Sequence, residues 1–120
     1  VYGEDFWRPY IHVEDLSTAV LEVLAAKEDC VRGQVFNTGN TAENYQKRTI
    51  AEIIHEKLPE TKVEYVKVDE DPRNYKVDFS KIRKVLDFQT RHTLPDGVDQ
   101  VILLLKNQII TNPRDPIYSN

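Results

Sequence analysis

The chain has no methionine and a single cysteine, Cys30, in 120 residues. One cysteine excludes an intrachain disulfide, and such sparing use fits a reducing, cytoplasmic compartment. A sequence that opens Val1-Tyr2-Gly3 without an initiator methionine reads as a piece of a longer protein. Glycine is scarce too: Gly3, Gly33, Gly39 and Gly97 stand singly, so no glycine-rich loop is present to cradle a phosphate. No apolar run approaches the length of a membrane span, and no signal peptide opens the chain. Basic residues are the minority, 16 Lys and Arg against 20 Asp and Glu, for a net charge of −4. That balance argues against a general affinity for nucleic acid or an anionic membrane, both of which need a broad positive field. No tyrosine is followed four residues on by lysine. No Ser/His/Asp order is present, and no histidine or cysteine has ligand spacing. The sequence therefore assigns no catalytic residue, no cofactor-binding residue and no metal ligand.

What is present suits one soluble α/β domain, 40% hydrophobic and 30% charged. Residues 9–13 (Pro-Tyr-Ile-His-Val) read as a strand, with Asp15 as N-cap of the helix that follows. Leu16, Ala19, Val20, Val23 and Leu24 share one face of that helix. Val35-Phe36-Asn37-Thr38 reads as a second strand, stopped by Gly39-Asn40, and 40–48 as a polar loop. Thr49-Ile50-Ala51-Glu52 has the form of a capping box, opening a helix with Ile50, Ile53, Ile54 and Leu58 inward and Pro59 at its end. Residues 63–68 alternate as a half-buried strand would, 70–74 form a loop, and 75–77 a brief strand. A short helix starts at Asp78 or Phe79 with Ile82, Val85 and Leu86 on one face. Thr93-Leu94-Pro95-Asp96 caps the last helix, which carries Leu94, Val98, Val101, Ile102, Leu105 and Ile109. The order β-α-β-α-β-(β)-α-α predicts mixed α/β layers over residues 1–112, then an extended tail over 113–120. Strands 10–13 and 35–38 would need partners from elsewhere.

Three groups of residues carry possible chemistry. Arg8 and Arg73, each stiffened by a neighbouring proline, admit two readings. A pair of guanidinium forks converging from separate loops clamps a diphosphate, and two arginines in acidic surroundings also make ordinary surface ion pairs. His12 and Asp15 have the spacing of an acid–base pair, and equally that of a strand residue and a helix cap. Trp7 and Tyr10 suit either stacking on a base or sugar, or packing in a core. Lys81, Arg83 and Lys84, with Lys47-Arg48, read as solvated faces.

Read together, these segments resemble a family. Trp7-Arg8-Pro9-Tyr10-Ile11-His12-Val13-Glu14-Asp15-Leu16 is similar to the Arg-x-[Phe/Tyr]-[Ile/Val]-x-Val-x-Asp segment of the extended short-chain dehydrogenases/reductases, the NAD(P)-dependent epimerases and dehydratases of nucleotide sugars. Val35-Phe36-Asn37-Thr38-Gly39 resembles that family's strand end with Asn and Gly, and Thr49-Ile50-Ala51-Glu52 its next helix start. Asp71-Pro72-Arg73-Asn74-Tyr75 through Ser80-Lys81-Ile82 is similar to the stretch leading into the family's Ser-Lys-Ile helix. Thr93-Leu94-Pro95-Asp96-Gly97-Val98 resembles its closing helix start. Two departures stand out. Val68-Asp69-Glu70-Asp71 replaces an Arg-x-Gly-Asp motif found in several relatives, so Arg73 alone remains there. Asp87 occupies a position that is usually Gly at a helix end, where a left-handed backbone is needed.

The resemblance implies a C-terminal substrate-binding part of an extended Rossmann-type enzyme, built of mixed helices and short strands. It implies hydride chemistry on NAD, with NADP the alternative, the cofactor and the catalytic Tyr-Lys pair being held by sequence upstream. Arg8 and Arg73 would contact the diphosphate of a nucleotide sugar, and Asp71 would orient the nucleotide. The parent would be a homodimer. Two other readings stay open: a superfamily oxidoreductase acting on a substrate without a nucleotide, and a non-catalytic dinucleotide-binding regulator. The 120-residue chain alone is not expected to be catalytic. Its apolar faces at Leu16, Val20, Val23 and Leu24, with Val35 and Phe36, are expected to drive self-association in isolation. Sedimentation should show species larger than a monomer at high concentration, and a clean monomer would contradict the expectation.

Overall fold

The computed structural model describes residues 1–67 and 73–118. Strand β1 (Trp7–Pro9) is followed by helix α1 (Val13–Ala25) and a short helix α2 (Glu28–Val31). A 3-10 turn (Thr41–Glu43) leads into strand β2 (Asn44–Gln46), which runs directly into helix α3 (Lys47–Lys57). Helices α4 (Ser80–Leu86) and α5 (Leu94–Lys106) follow, then a 3-10 turn at Pro116–Tyr118. The fold is mixed α/β, as the sequence order predicts. Among the described residues, no helix is long and apolar enough to cross a membrane.

The strands fall elsewhere than predicted. β1 pairs antiparallel with β2, Arg8 opposite Tyr45, so the predicted loop 40–48 supplies the partner strand. The predicted strand 10–13 begins too late: Tyr10 closes the ladder by donating its N–H to Glu43 O at 2.9 Å, and Val13 is already helical. Residues 35–38 are not a strand. No ladder partner lies beside them among the described residues, and Val35 is exposed. Of the predicted strand 63–68, residue 68 lies outside the described residues. The rest makes a single parallel bridge, Tyr2 to Val66, with Gly3 N donating to Val66 O and Val66 N to Val1 O. Residues 75–77 pair with a side chain instead of a strand: the Asn44 amide accepts from Val77 N and donates to Val77 O, both at 2.9 Å. Of the predicted extended tail 113–120, residues 119–120 lie outside the described residues, and the rest is a series of turns, with Asp115 N bonded to Asn112 O and Tyr118 N to Asp115 O.

Helix ends follow the hydrogen-bond needs of the first turn, whose N–H groups lack partners within the helix. α3 starts at Lys47, two residues before the predicted Thr49, because Lys47 N and Arg48 N donate to Phe6 O and Glu4 O. With those donors satisfied across the chain, Thr49 sits inside the helix. At α5 the prediction holds. Thr93 is the N-cap, and its hydroxyl and the Asp96 carboxylate form the reciprocal capping box, with Pro95 in the first turn. α4 starts at Ser80 with Asp78 accepting from its N–H at 2.7 Å. It ends at Asp87, whose φ of 55° is the left-handed conformation expected there.

The core is small. Ala19, Ile82 and Phe88 are buried together, with Phe36 and Leu86 packed on them, and Phe79 and Ala51 are buried nearby. Gly39 allows one close approach: a Cβ there would lie 2.8 Å from the Phe79 ring. α1 turns Asp15 and Ala19 inward, while Val13, Leu16, Val20, Leu21 and Leu24 face outward as a continuous apolar stripe. The chain exposes 9155 Å². A compact monomer of 14.0 kDa exposes about 6,700 Å². Its radius of gyration, 17.0 Å, likewise exceeds the roughly 14 Å of a compact domain this long. The exposed surface includes the apolar face of α1, of the kind that protein–protein contacts cover.

Candidate functional site

β1 carries Arg8 at its centre, and the segment after the undescribed residues 68–72 lies along its open edge. The Arg8 guanidinium donates through Nη1 to the carbonyl of Arg73, and also to Trp7 O at 2.7 Å. Next to it, Trp7 N donates to Asn74 Oδ1 at 2.9 Å, and the Lys76 ammonium sits 3.5 Å from the centre of the Trp7 ring. Cation and indole face interact through the ring quadrupole, which accounts for Trp7 better than core packing. These contacts place Arg8 and the backbone of Arg73 side by side, although they are distant in sequence. Arg73 itself is exposed, and Asp71 lies outside the described residues.

Beside this junction is a cavity of about 310 Å³ lined by Pro9, Tyr10, Asn37, Thr38, Tyr75 and Val77. Burial raises the pKa of the Tyr10 hydroxyl, partly opposed by the Arg8 charge. Tyr10 thus stays protonated as a neutral donor at the cavity wall. The lining offers amide and hydroxyl groups and aromatic walls, which suits a polar ligand, while the Arg8 guanidinium lies outside the lining and is held by the Trp7 and Arg73 carbonyls. Asn37 and Thr38 reach it from an irregular segment, so strand periodicity could not have marked them. Asn44, which holds Val77 in place, gave no sequence signal either.

A second cluster surrounds the start of α1. His12, not Asp15, is the N-cap: its Nδ1 accepts from Glu14 N at 3.2 Å. Asp15 is freed for another task. Its carboxylate is 2% exposed and accepts 3.0 Å hydrogen bonds from Arg91 N and His92 N. The His92 ring adds a third contact, Nδ1 to Oδ1 at 3.3 Å. Burial alone would raise the Asp15 pKa. The two backbone N–H donors and the His92 ring outweigh it and hold the carboxyl below its ordinary value. His92 stacks on His12 with ring centres 4.2 Å apart, and His12 Nε2 lies 2.8 Å from Gln100 Oε1. Glu43, also buried, accepts from Leu94 N and from the Tyr45 hydroxyl. A larger apolar groove of about 640 Å³ runs from these histidines between α3 and α5. The expected reading of His12 and Asp15 is thus inverted, since a histidine cap and a buried aspartate are both rarer than the reverse.

Cβ atoms built at Gly3 and Gly39 would collide with the rings of Phe6 and Phe79, so both are packed against aromatic side chains and present no open anion nest.

No family model matches the chain. Solved structures do resemble it. A partial consensus L-threonine 3-dehydrogenase aligns with TM-score 0.72 and 21% identity over 87% of this chain and 34% of that one. RMD from Pseudomonas aeruginosa, complexed with NADPH, aligns with TM-score 0.72 and 16% identity over 90% and 35%. A GalE-like L-threonine dehydrogenase from Cupriavidus necator, in its apo form, aligns with TM-score 0.68 and 22% identity over 85% and 38%.

Replacing Asp15 by Asn should lower the unfolding free energy at neutral pH by about 1–3 kcal/mol, since an amide cannot accept as the carboxylate does. Because the folded pKa is depressed, the stabilisation is complete above about pH 4 and is lost as pH falls through the folded value. Denaturant titrations should therefore show wild type losing more stability than Asp15→Asn between about pH 4 and about pH 2. Parallel curves would contradict this role.

At this level of identity the likeness is one of fold: the chain spans about a third of each of these Rossmann-like dehydrogenase and reductase chains and shares their mixed α/β architecture.

Proposed function

We propose that this chain is the C-terminal, substrate-binding part of an NAD(P)-dependent oxidoreductase of the extended short-chain dehydrogenase/reductase type, acting on a nucleotide sugar as an epimerase or dehydratase. The carrying observation is the convergence of Arg8 with the Arg73–Lys76 segment across the open edge of β1. In this reading Arg8 and Arg73 hold the substrate diphosphate, and Asp71 orients the nucleotide. The nicotinamide cofactor, which would accept and return hydride, belongs to the remaining part of the enzyme. The outward stripe of α1 (Val13, Leu16, Val20, Leu24) and Val35 supply apolar surface for that part, or for a second subunit, to cover.

A second reading is favoured by the L-threonine dehydrogenases among the similar structures. There the substrate has no diphosphate, and Arg8 would serve to brace the Arg73 loop. One experiment separates the two. In the longer enzyme, Arg8→Ala and Arg73→Ala should each raise KM for a nucleotide sugar about tenfold or more, from roughly 1.5–3 kcal/mol per charged hydrogen bond. Unchanged kinetics in both variants, or turnover of L-threonine with none of any nucleotide sugar, would overturn the first reading.

A further inference from the structure

The stacked histidines have a property that neither the cap nor the fold requires. His12, Glu14 and His92 each bring one potential ligand atom to a common place, all within 4.8 Å of one another. Two segments far apart in sequence meet there. His92 is oriented through Nδ1 by Asp15, whereas His12 is engaged on both nitrogens, Nδ1 by Glu14 N and Nε2 by Gln100. Asp15 accepts from its surroundings on both carboxylate oxygens, so the His92 nitrogen facing it, Nδ1, carries the proton. His92 Nε2 is then the nitrogen with the lone pair, and it lies 3.6 Å from Glu14 Oε2. His12 Nε2 lies 2.8 Å from Gln100 Oε1, which leaves Nδ1 as its ligand nitrogen; Nδ1 now accepts from Glu14 N at 3.2 Å, a cap bond that a metal ion would replace.

A carboxylate behind an imidazole, with the far nitrogen turned toward a second carboxylate, is how proteins fix the tautomer and raise the basicity of a metal-bound histidine. Two neutral imidazoles and one carboxylate form a donor set for a borderline transition ion, and they are poor ligands for calcium or magnesium. Ligand atoms on a tetrahedral zinc lie about 3.3 Å apart, from bonds of about 2.0–2.2 Å. The 3.6 Å separation of Glu14 and His92 closes to that value with a small movement. The Glu14 side chain is 67% exposed and can make it.

The geometry points to a zinc site in which His12 supplies one nitrogen, His92 its Nε2 and Glu14 a carboxylate oxygen, with water completing the coordination. Asp15 is a positioning residue that holds His92 in the ligating tautomer. The site joins the start of α1 to the start of α5, so zinc would tie these two elements together. It stands apart from the Arg8 cavity and does not rest on the reading of that cavity.

Calorimetric titration of the untagged 120-residue protein with zinc chloride, alongside cobalt(II) absorption spectra, tests the assignment. One zinc per chain is expected, together with the visible bands of a low-coordinate cobalt site. His92→Asn and Glu14→Gln should each weaken binding at least tenfold. Glu14 is exposed, so its replacement leaves folding intact. Asp15→Asn should weaken binding by about 10–100-fold by releasing the His92 ring from its fixed orientation. Cys30→Ser and His55→Asn, which remove the chain's one cysteine and its remaining histidine, should leave affinity unchanged. Absence of stoichiometric binding by the wild-type protein would overturn the assignment. So would affinity that survives Glu14→Gln and His92→Asn, or affinity that depends on Cys30 or His55.

Discussion

Much of this molecule depends on one buried carboxylate. Asp15 lies in the first turn of α1 and accepts the backbone N–H groups of Arg91 and His92, which precede α5. A charge so enclosed is tolerated only when its acceptor sites are filled. Here they are filled by the backbone, so the interaction fixes main-chain position as well as side-chain geometry. From it follow the placement of the Thr93 cap, the direction of α5 and the stacking of His92 on His12. The groove between α3 and α5 has its mouth at the same point. A core of so few buried apolar residues would not define these relations alone.

The parts legible in the sequence are those whose determinants are local. The Thr93/Asp96 box, the Asp78 start of α4 and the left-handed Asp87 each depend on residues within a few positions, and each lies where it was expected. The misread parts depend on partners far along the chain. α3 starts early because Phe6 and Glu4 offer carbonyls to its first turn. The strand at 44–46 exists because β1 lies beside it, and nothing in Asn44-Tyr45-Gln46 signals a strand. His12 and Asp15 exchange roles because Arg91 and His92 claim the aspartate. Of the candidate site, the convergence of the Arg8 and Arg73 segments was legible through the family resemblance. Asn37, Thr38 and the Lys76–Trp7 contact were not, because Asn37, Thr38 and Lys76 each reach it from irregular backbone.

The fold and the surface point in one direction. The architecture is shared with about a third of much longer dehydrogenase and reductase chains, and the chain exposes well over the area of a compact monomer of its mass. The apolar stripe of α1 and the Arg8 cavity lie on a body whose own core is too small to use them. On that body Arg8 is braced by the carbonyl of Arg73, and Tyr10 is kept neutral at the cavity wall.

The central claim is that the Asp15 carboxylate locks α1 to the segment before α5, and amide hydrogen exchange read residue by residue tests it directly. Arg91 and His92 precede the helix and belong to no strand, so their amides would exchange like those of a surface loop without the lock. The account predicts that these two amides exchange as slowly as those in the middle of α5. Exchange at the rate of the neighbouring exposed loop would contradict it.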